Sequence, residues 1–412
     1  MSTRRVLVFA PFNPYPPSNG LHHRLLQMLR ALRALGYHIT LAGSTLPTES
    51  KWNASSQHAL TAQCVDAVNV YSATANDYRV QRLARELYRR AKHTPPLSNW
   101  QDAPPGMRRW FARLIERAQP DVLIMNYAYW DALIDHVKQH ARWRVIDTID
   151  LVTVFEGLQE TLKHALVDSP HTTKEQARVL TLEYIKQITP APAPREFQVY
   201  NQYSVAIGIT RRDTEMIARH APDTRARLLA ATVPPVPLAN TYAGAALFAL
   251  GPNLFNLHGY MLFTANVLPE IRSHAPAFHL DVTGTFFARR APNPTESVAL
   301  RGFVPNLDSF YQNARLFVCP TAAGTGQQIK ILEAMAHGLG VVAFRRAAEN
   351  SPLVHGESGL IADGAPEFAA HVIRLWNDQE LCARLGRAAR AQIAADTASG
   401  RFENELQEIL TP

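Results

Sequence analysis

Residues 319–337 read CPTAAGTGQQIKILEAMAH, and their types and spacing suit the binding of a phosphorylated ligand. The apolar run ARLFVCP (314–320) predicts a buried strand, which delivers a loop carrying Gly324, Thr325 and Gly326. A helix is predicted over 327–338. Glycines let a backbone approach a ligand closely, and the free amides of a helix start attract anions. Lys330 falls in the first helical turn, where its ammonium can meet a diphosphate. Glu333 lies three residues on, near the same face, and its carboxylate can accept hydrogen bonds from ribose hydroxyls. Amide cradle, cation and carboxylate together suit a nucleoside diphosphate. From spacing alone a blander reading stands beside this one: Lys330 and Glu333 as a surface i,i+3 pair, and the glycines as turn residues.

The elements around this segment set the fold class. RRVLVFAP near the start is a continuous apolar run typical of a buried parallel strand. The loop PFNPYPPSNG follows, then a helical pattern with Leu25, Leu29, Leu32 and Leu35 on one face. Gly36 stops that helix, and YHITLAG is the next strand, completing a βαβ unit. Further strands are expected at 120–127, 143–150 and 203–210, with a polar-faced helical stretch over 154–189. After Pro234–Pro235 a second series begins, with strands at 245–251, 278–284, 297–304, 314–320, 340–344 and 359–363. Helices are expected at 260–273, 306–313, 327–338, 366–377, 379–395 and 399–410. The fold class is therefore α/β, two doubly wound Rossmann-like domains: 1–236, 237–395, and a helix in 396–412 that crosses back. Sheets of this kind bind ligands beyond the carboxyl ends of their strands, so a cleft between the halves is the expected site.

This chain resembles family 4 glycosyltransferases, the retaining enzymes of GT-B fold. The resemblance rests on GFVPNL (302–307), GTGQQIKILEAMA (324–336), GLGVVA (338–343) and HGESGLIA (355–362). It is closest to members with Gly-x-Gly-x-x-x-Lys before a Glu-Ala-Met-Ala helix. It extends to the PYPPSNG loop with Arg24, to PDVLIMNY, to the strand end DTID and to TANVLPEI (264–271). Residues 48–118 and 155–200 carry almost none of it. The resemblance implies that Glu333 holds the ribose and Lys330 the diphosphate, with the backbone around Gly326, Gln327 and Gln328 facing the transferred sugar. It gives donor-side roles to Gly20 in the first half and Gly251 in the second, and to Arg24, for which a plain helix-surface cation is the equal alternative. Asn126 and Asp150, at strand ends, are its candidates for touching the donor sugar during catalysis, beside ordinary loop-capping roles.

Two departures from the family pattern stand out. Its first motif glutamate falls at Thr325, which removes one contact to the transferred sugar. The loop from Gly251 to His258 lacks the usual arginine and lysine, so either Lys330 does most of the charge neutralisation, aided by His258 or a basic residue of the other domain, or donor binding is weak. Arg211 and Arg212, after strand 203–210, are further candidates for a phosphate contact.

The chemistry the resemblance implies is transfer from a nucleoside diphosphate sugar to a glycan, lipid-linked or small-molecule acceptor, with retained configuration. The reaction belongs to polysaccharide or glycoconjugate assembly, and no metal or other cofactor is expected. An inactive GT-B partner subunit and a nucleotide-sugar epimerase are the competing readings. No His/Asp/Cys cluster has metal-ligand spacing, and Asp-x-Asp is missing. Cys64, Cys319 and Cys382 suggest no disulfide framework, and the expected compartment is the cytoplasm. A net charge of +7 would suit nucleic acid, but none of the signatures of such modules occurs, so no nucleic-acid partner is expected. No apolar run approaches the ~20 residues of a membrane span. Basic residues concentrate in 79–117 with Trp100, Trp110 and Phe111. That segment reads either as a peripheral contact with the inner face of a membrane or as a solvated helical face with core aromatics.

Overall fold

The computed structural model describes residues 4–46, 51–91, 97–98, 101–135, 142–168, 173–237, 240–285 and 296–411. Its backbone forms two units, each built on an all-parallel sheet. The first contains 1–153, 192–231 and 402–412; the second contains 154–191 and 232–401.

The sheet of the first unit holds β1 (Arg5–Phe9), β2 (His38–Ser44), β3 (Ala67–Tyr71), β4 (Val122–Asn126), β5 (Trp143–Asp147), β6 (Val205–Gly208) and β7 (Arg225–Leu228). Their spatial order is β3-β2-β1-β4-β5-β6-β7, so the winding reverses between β1 and β4. The helix Gly20–Ala34 starts at Asn19, whose side chain accepts from the His22 amide at 3.0 Å. It buries Leu25, Leu26, Leu29 and Leu32 against Val6 and Val8 of β1. Leu35, expected on the same face, is the C-cap residue and only partly buried. Gly36 beyond it has φ +80°, the left-handed value that ends a helix. The closing helix Arg401–Ile409 adds Phe402, Leu406, Ile409 and Leu410 to the same core, and Trp143 Nε1 donates to the Ile409 carbonyl at 2.9 Å.

The sheet of the second unit holds β8 (Ala246–Ala249), β9 (Leu280–Thr283), β10 (Val298–Gly302), β11 (Phe317–Cys319), β12 (Val341–Phe344) and β13 (Gly359–Ala362). The order β10-β9-β8-β11-β12-β13 places its reversal between β8 and β11. The expected strands are all present. The helix expected from 260 begins earlier, at Leu254, capped by the Asn253 side chain.

The segment 154–191, read from sequence as part of the first half, packs with the second unit. Its helix Val152–Lys163 sets Phe155 edge-on against Phe255 at 5.4 Å. Farther along, the carbonyls of Val179 and Leu180 are held by His258 Nε2 (2.9 Å) and Asn266 Nδ2 (2.6 Å). Two side chains on one helical run thus hold two consecutive carbonyls.

The basic segment 79–117 is also divided. Trp110 is half-buried and packs on Tyr71 at 5.4 Å, while Phe111 is fully buried against Phe9. Those two aromatics are core residues. Trp100 and residues 92–96 lie outside the described residues.

Candidate functional site

The switch point of the second sheet gathers the residues that the sequence singles out. After β11 the chain passes through Gly324 at φ +124° and Gly326 at φ +78°, backbone conformations that side chains disfavour. A Cβ at Gly324 would also stand 3.2 Å from the Phe255 ring. Two bonds from the far side of β12 brace this loop. Arg346 donates to the Gly324 carbonyl at 3.0 Å, and the Gln327 side chain donates to the Asn350 carbonyl at 2.8 Å. The helix Ile329–Ala336 then begins at Gln328, which makes no side-chain capping bond. It is shorter at both ends than the expected 327–338, which makes Lys330 its second residue.

Lys330 is half-buried above the Phe248 ring, 5.6 Å from the centroid, and its ammonium donates to Asn256 Oδ1. Asn256 in turn donates to the Gly251 carbonyl at 3.1 Å and has its amide capped by Asn253 at 2.9 Å. The loop after β8 and the helix after β11 are therefore tied together through one amide side chain. Loss of hydration lowers the Lys330 pKa from its ordinary value, with the nearby Glu333 carboxylate acting against it. Glu333 is also half-buried, and Tyr311 donates to its Oε2 in a long bond of 3.4 Å. Burial raises the Glu333 carboxyl above the usual range, with Tyr311, His337 and Lys330 pulling it back. Tyr311 is itself fixed by His337, stacked on its ring at 4.4 Å and bound to Asp308 at 3.2 Å. A cation and a carboxylate three residues apart, each held by a neighbour distant in sequence, stand beside a loop of positive-φ glycines. Chemically, such an arrangement can oppose an anion's charge and accept hydrogen bonds from hydroxyls.

His258 does not supply the auxiliary cation expected of it. Its ring is fully buried with Nε2 on the Val179 carbonyl, and burial pushes its pKa down to about 4, so it is neutral at pH 7. Thr325 is half-buried in the glycine loop beside Gln327 and Gln328.

The first unit places its candidates differently. Arg24, expected on the donor side, is buried inside the fold: Nε and one terminal nitrogen bind both oxygens of Asp147 (2.9 and 2.8 Å), and the other donates to the Leu229 carbonyl at 2.8 Å. Its guanidinium joins β5 to the end of β7. Asn126 is also buried, its amide donating to the Phe9 carbonyl at 2.8 Å across the β1–β4 switch point. Asp150 is half-buried past the end of β5, and its amide donates to the Thr148 carbonyl at 2.7 Å. Gly20 opens the first helix beyond its Asn19 cap. Arg211 and Arg212 are exposed at the start of the helix Arg211–His220.

Tyr127, a strand-end residue in the sequence, and Ile149, which sequence reasoning missed, leave β4 and β5 with φ of +63° each. For a bulky or β-branched residue that is a strained backbone, of a kind that clusters at functional sites. Burial and the charges of Asp150 and Asp147 raise the Tyr127 phenol well above its ordinary value. Asn256, Tyr311 and Arg346 were missed too, although each lies in or beside the stretches that the sequence singles out. Among the described residues no three His, Cys, Asp or Glu side chains converge as a metal site. A recess of about 1050 Å³ lined by Gln119, Asp121, Trp143 and Leu410 opens at the amino ends of β4 and β5, the wrong end for ligands of such sheets.

Two all-parallel doubly wound sheets, each with its switch point, make this a protein of GT-B fold. Residues 246–378, which include the whole Lys330–Glu333 constellation, match the family model described as Glycosyl transferases group 1. No curated protein sequence matches the chain. Among solved structures it is similar to sucrose-phosphate synthase from Thermosynechococcus elongatus, at 13% identity over 98% of each chain with TM-score 0.63. It is similar to a variant of S. aureus TarM in complex with fondaparinux, α-GlcNAc-glycerol and UDP, at 10% identity over 100% of each chain with TM-score 0.67. Anabaena HepE in complex with UDP-glucose is 12% identical over 98% of this chain and 99% of its own, with TM-score 0.59.

Proposed function

We propose that this chain transfers a sugar from a nucleoside diphosphate sugar to an acceptor, with retention of configuration and without a metal. The observation that carries this reading is the tie between Lys330 and Asn256 beside the glycine loop, with Glu333 one helical turn away. The ammonium and the loop amides oppose the charge that grows on the departing diphosphate. Such preorganised electrostatics contribute most where water is displaced. The Glu333 carboxylate accepts from the ribose hydroxyls, and the backbone of 325–328 lies against the sugar. Charge on the leaving group is the main barrier to be lowered, so the reaction needs no glutamate at Thr325. Acceptor recognition is assigned to the first unit, near Tyr127, Ile149 and Asp150. UDP or a UDP-sugar in the HepE and TarM structures supports a uridine nucleotide as the first donor class to try. A glycan or lipid-linked glycan is the acceptor class in this reading.

The test is thermal stabilisation by a panel of nucleotides and nucleotide sugars. A ligand at 100 times its dissociation constant adds about 2.7 kcal/mol of stability. One diphosphate sugar should raise the melting temperature, and Glu333→Ala should abolish the rise. A second reading is favoured by one observation: His258 is neutral, and the loop after β8 brings no cation. If no nucleotide sugar stabilises the folded protein, the chain is an inactive GT-B subunit. Conversion of a sugar nucleotide without any acceptor would instead mark an epimerase.

A further inference from the structure

We infer that the helix Ala75–Ala91 is a docking surface for an anionic lipid bilayer. A helix on a protein surface normally turns its leucines inward. This one does the reverse. Leu83 and Leu87, one turn apart, are 64% and 66% exposed. The inward face is held by polar anchors around the small Ala84. Asp77 is buried and receives the Tyr71 hydroxyl at 2.7 Å and the Thr74 amide at 2.8 Å. The Tyr78 hydroxyl meets the Thr45 carbonyl at 3.4 Å, and the Gln81 amide meets the Gln101 carbonyl at 3.0 Å. The leucines thus contribute nothing to the core that holds the helix.

Around them stand arginines. Helical spacing puts Arg79 and Arg90 beside Leu83 and Leu87, with Arg82 and Arg89 on one flank, and all four are exposed. Glu86 is the one acidic residue on this side, and Arg89 and Arg90 pair with it at 2.7 and 2.6 Å. The face therefore combines two protruding aliphatic side chains with a cationic surround. Anionic headgroups complement the arginines while the leucines enter the acyl boundary, and the long arginine stems allow both at once. A protein partner of acidic surface would satisfy the arginines but leave the leucines without an apolar recess. A polyanion in solution would satisfy only the charges. No helix among the described residues is long and apolar enough to cross a membrane, so contact through this face would be peripheral.

The experiment is sedimentation of the full chain with vesicles of phosphatidylcholine alone and of phosphatidylcholine with phosphatidylglycerol. Wild type should bind the anionic vesicles, and more weakly as salt screens the arginines. Leu83→Gln with Leu87→Gln should weaken that binding by at least about tenfold, because two side chains no longer enter the apolar layer. Arg79→Gln with Arg82→Gln should weaken it and flatten its salt dependence. Circular dichroism and melting temperature should match wild type in both variants, since none of these side chains packs inward. Nucleotide-sugar stabilisation should also be unchanged, so failure here leaves the donor reading standing. Wild type that ignores anionic vesicles overturns the inference. So does a leucine variant that binds them as tightly as wild type, because charge alone would then explain the attraction.

Discussion

The position of Arg24 makes a prediction that separates a structural role from a ligand-binding one. Its guanidinium is 4% exposed, the Asp147 carboxylate 1%, and two parallel bonds of 2.8–2.9 Å join them. A third bond reaches the Leu229 carbonyl. Arg24→Met keeps most of the apolar stem but leaves Asp147 buried without its cation. Breaking a buried pair from one side costs about 3–5 kcal/mol. For a unit of this size each kcal/mol moves the melting temperature by about 2–4 °C, so a fall of roughly 6–20 °C is expected. Replacing both partners, Arg24→Met with Asp147→Leu, removes the orphaned charge and should recover much of that loss. The measurement is urea and thermal denaturation of wild type, both single variants and the double variant, read as a cycle. An Arg24→Met cost below about 1 kcal/mol, the range of an exposed pair, would refute the buried-pair role. Unchanged stability with collapsed nucleotide-sugar affinity would refute it too, and make Arg24 a donor residue.

Lys330→Met should lower turnover by about a hundredfold or more, the usual loss when one preorganised donor to a transition-state charge is removed, with nucleoside binding less affected. Because burial lowers the Lys330 pKa, donor affinity should decline as pH rises through that lowered value, below the range of an ordinary lysine; titration calorimetry across pH tests this. His258 binds no proton in the folded chain until about pH 4, whereas the unfolded chain does so below about 6.5. Its stabilisation is complete above pH 6.5 and disappears as pH falls towards 4, a loss of about 3 kcal/mol. His258→Gln should show less acid sensitivity of the urea midpoint over that window. Arg346→Ala frees the Gly324 carbonyl and should raise donor KM about five- to tenfold, the worth of one hydrogen bond, with the melting temperature lower by only a few degrees.

The strands legible in the sequence were those buried on both faces, such as VLVF of β1 and FVC of β11. Two escaped notice. β3 and β7 are sheet edges, and β7 reads RARL with alternate residues exposed, a pattern that polar loops share. The start of the helix Leu254–Leu262 was hidden for the opposite reason. It is buried nearly all round and so offers no stripe, leaving Asn253 as the only local sign. The candidate site divides along the same line. Lys330 and Glu333 declare themselves by spacing on one helix, whereas their holders come from elsewhere: Asn256 is 74 residues from Lys330, and Tyr311 is 22 from Glu333. The buried pairing of Arg24 is not visible in the sequence because its partner Asp147 lies 123 residues away. The leucines of the helix Ala75–Ala91 could not be told from core leucines until their surroundings were known.

The closing helix sets a timetable for biosynthesis. Phe402, Leu406, Ile409 and Leu410 belong to the core of the first unit, yet residues 232–401 must be made before them. At about 5–20 residues per second, a ribosome needs roughly ten to thirty seconds for that stretch. Throughout that time β1 and its neighbours carry an unfilled apolar surface on the nascent chain. The second unit has all of its strands before the first has its last helix. A chain that terminates early therefore emerges with an exposed hydrophobic seam, the feature by which chaperones and proteases recognise unfinished proteins.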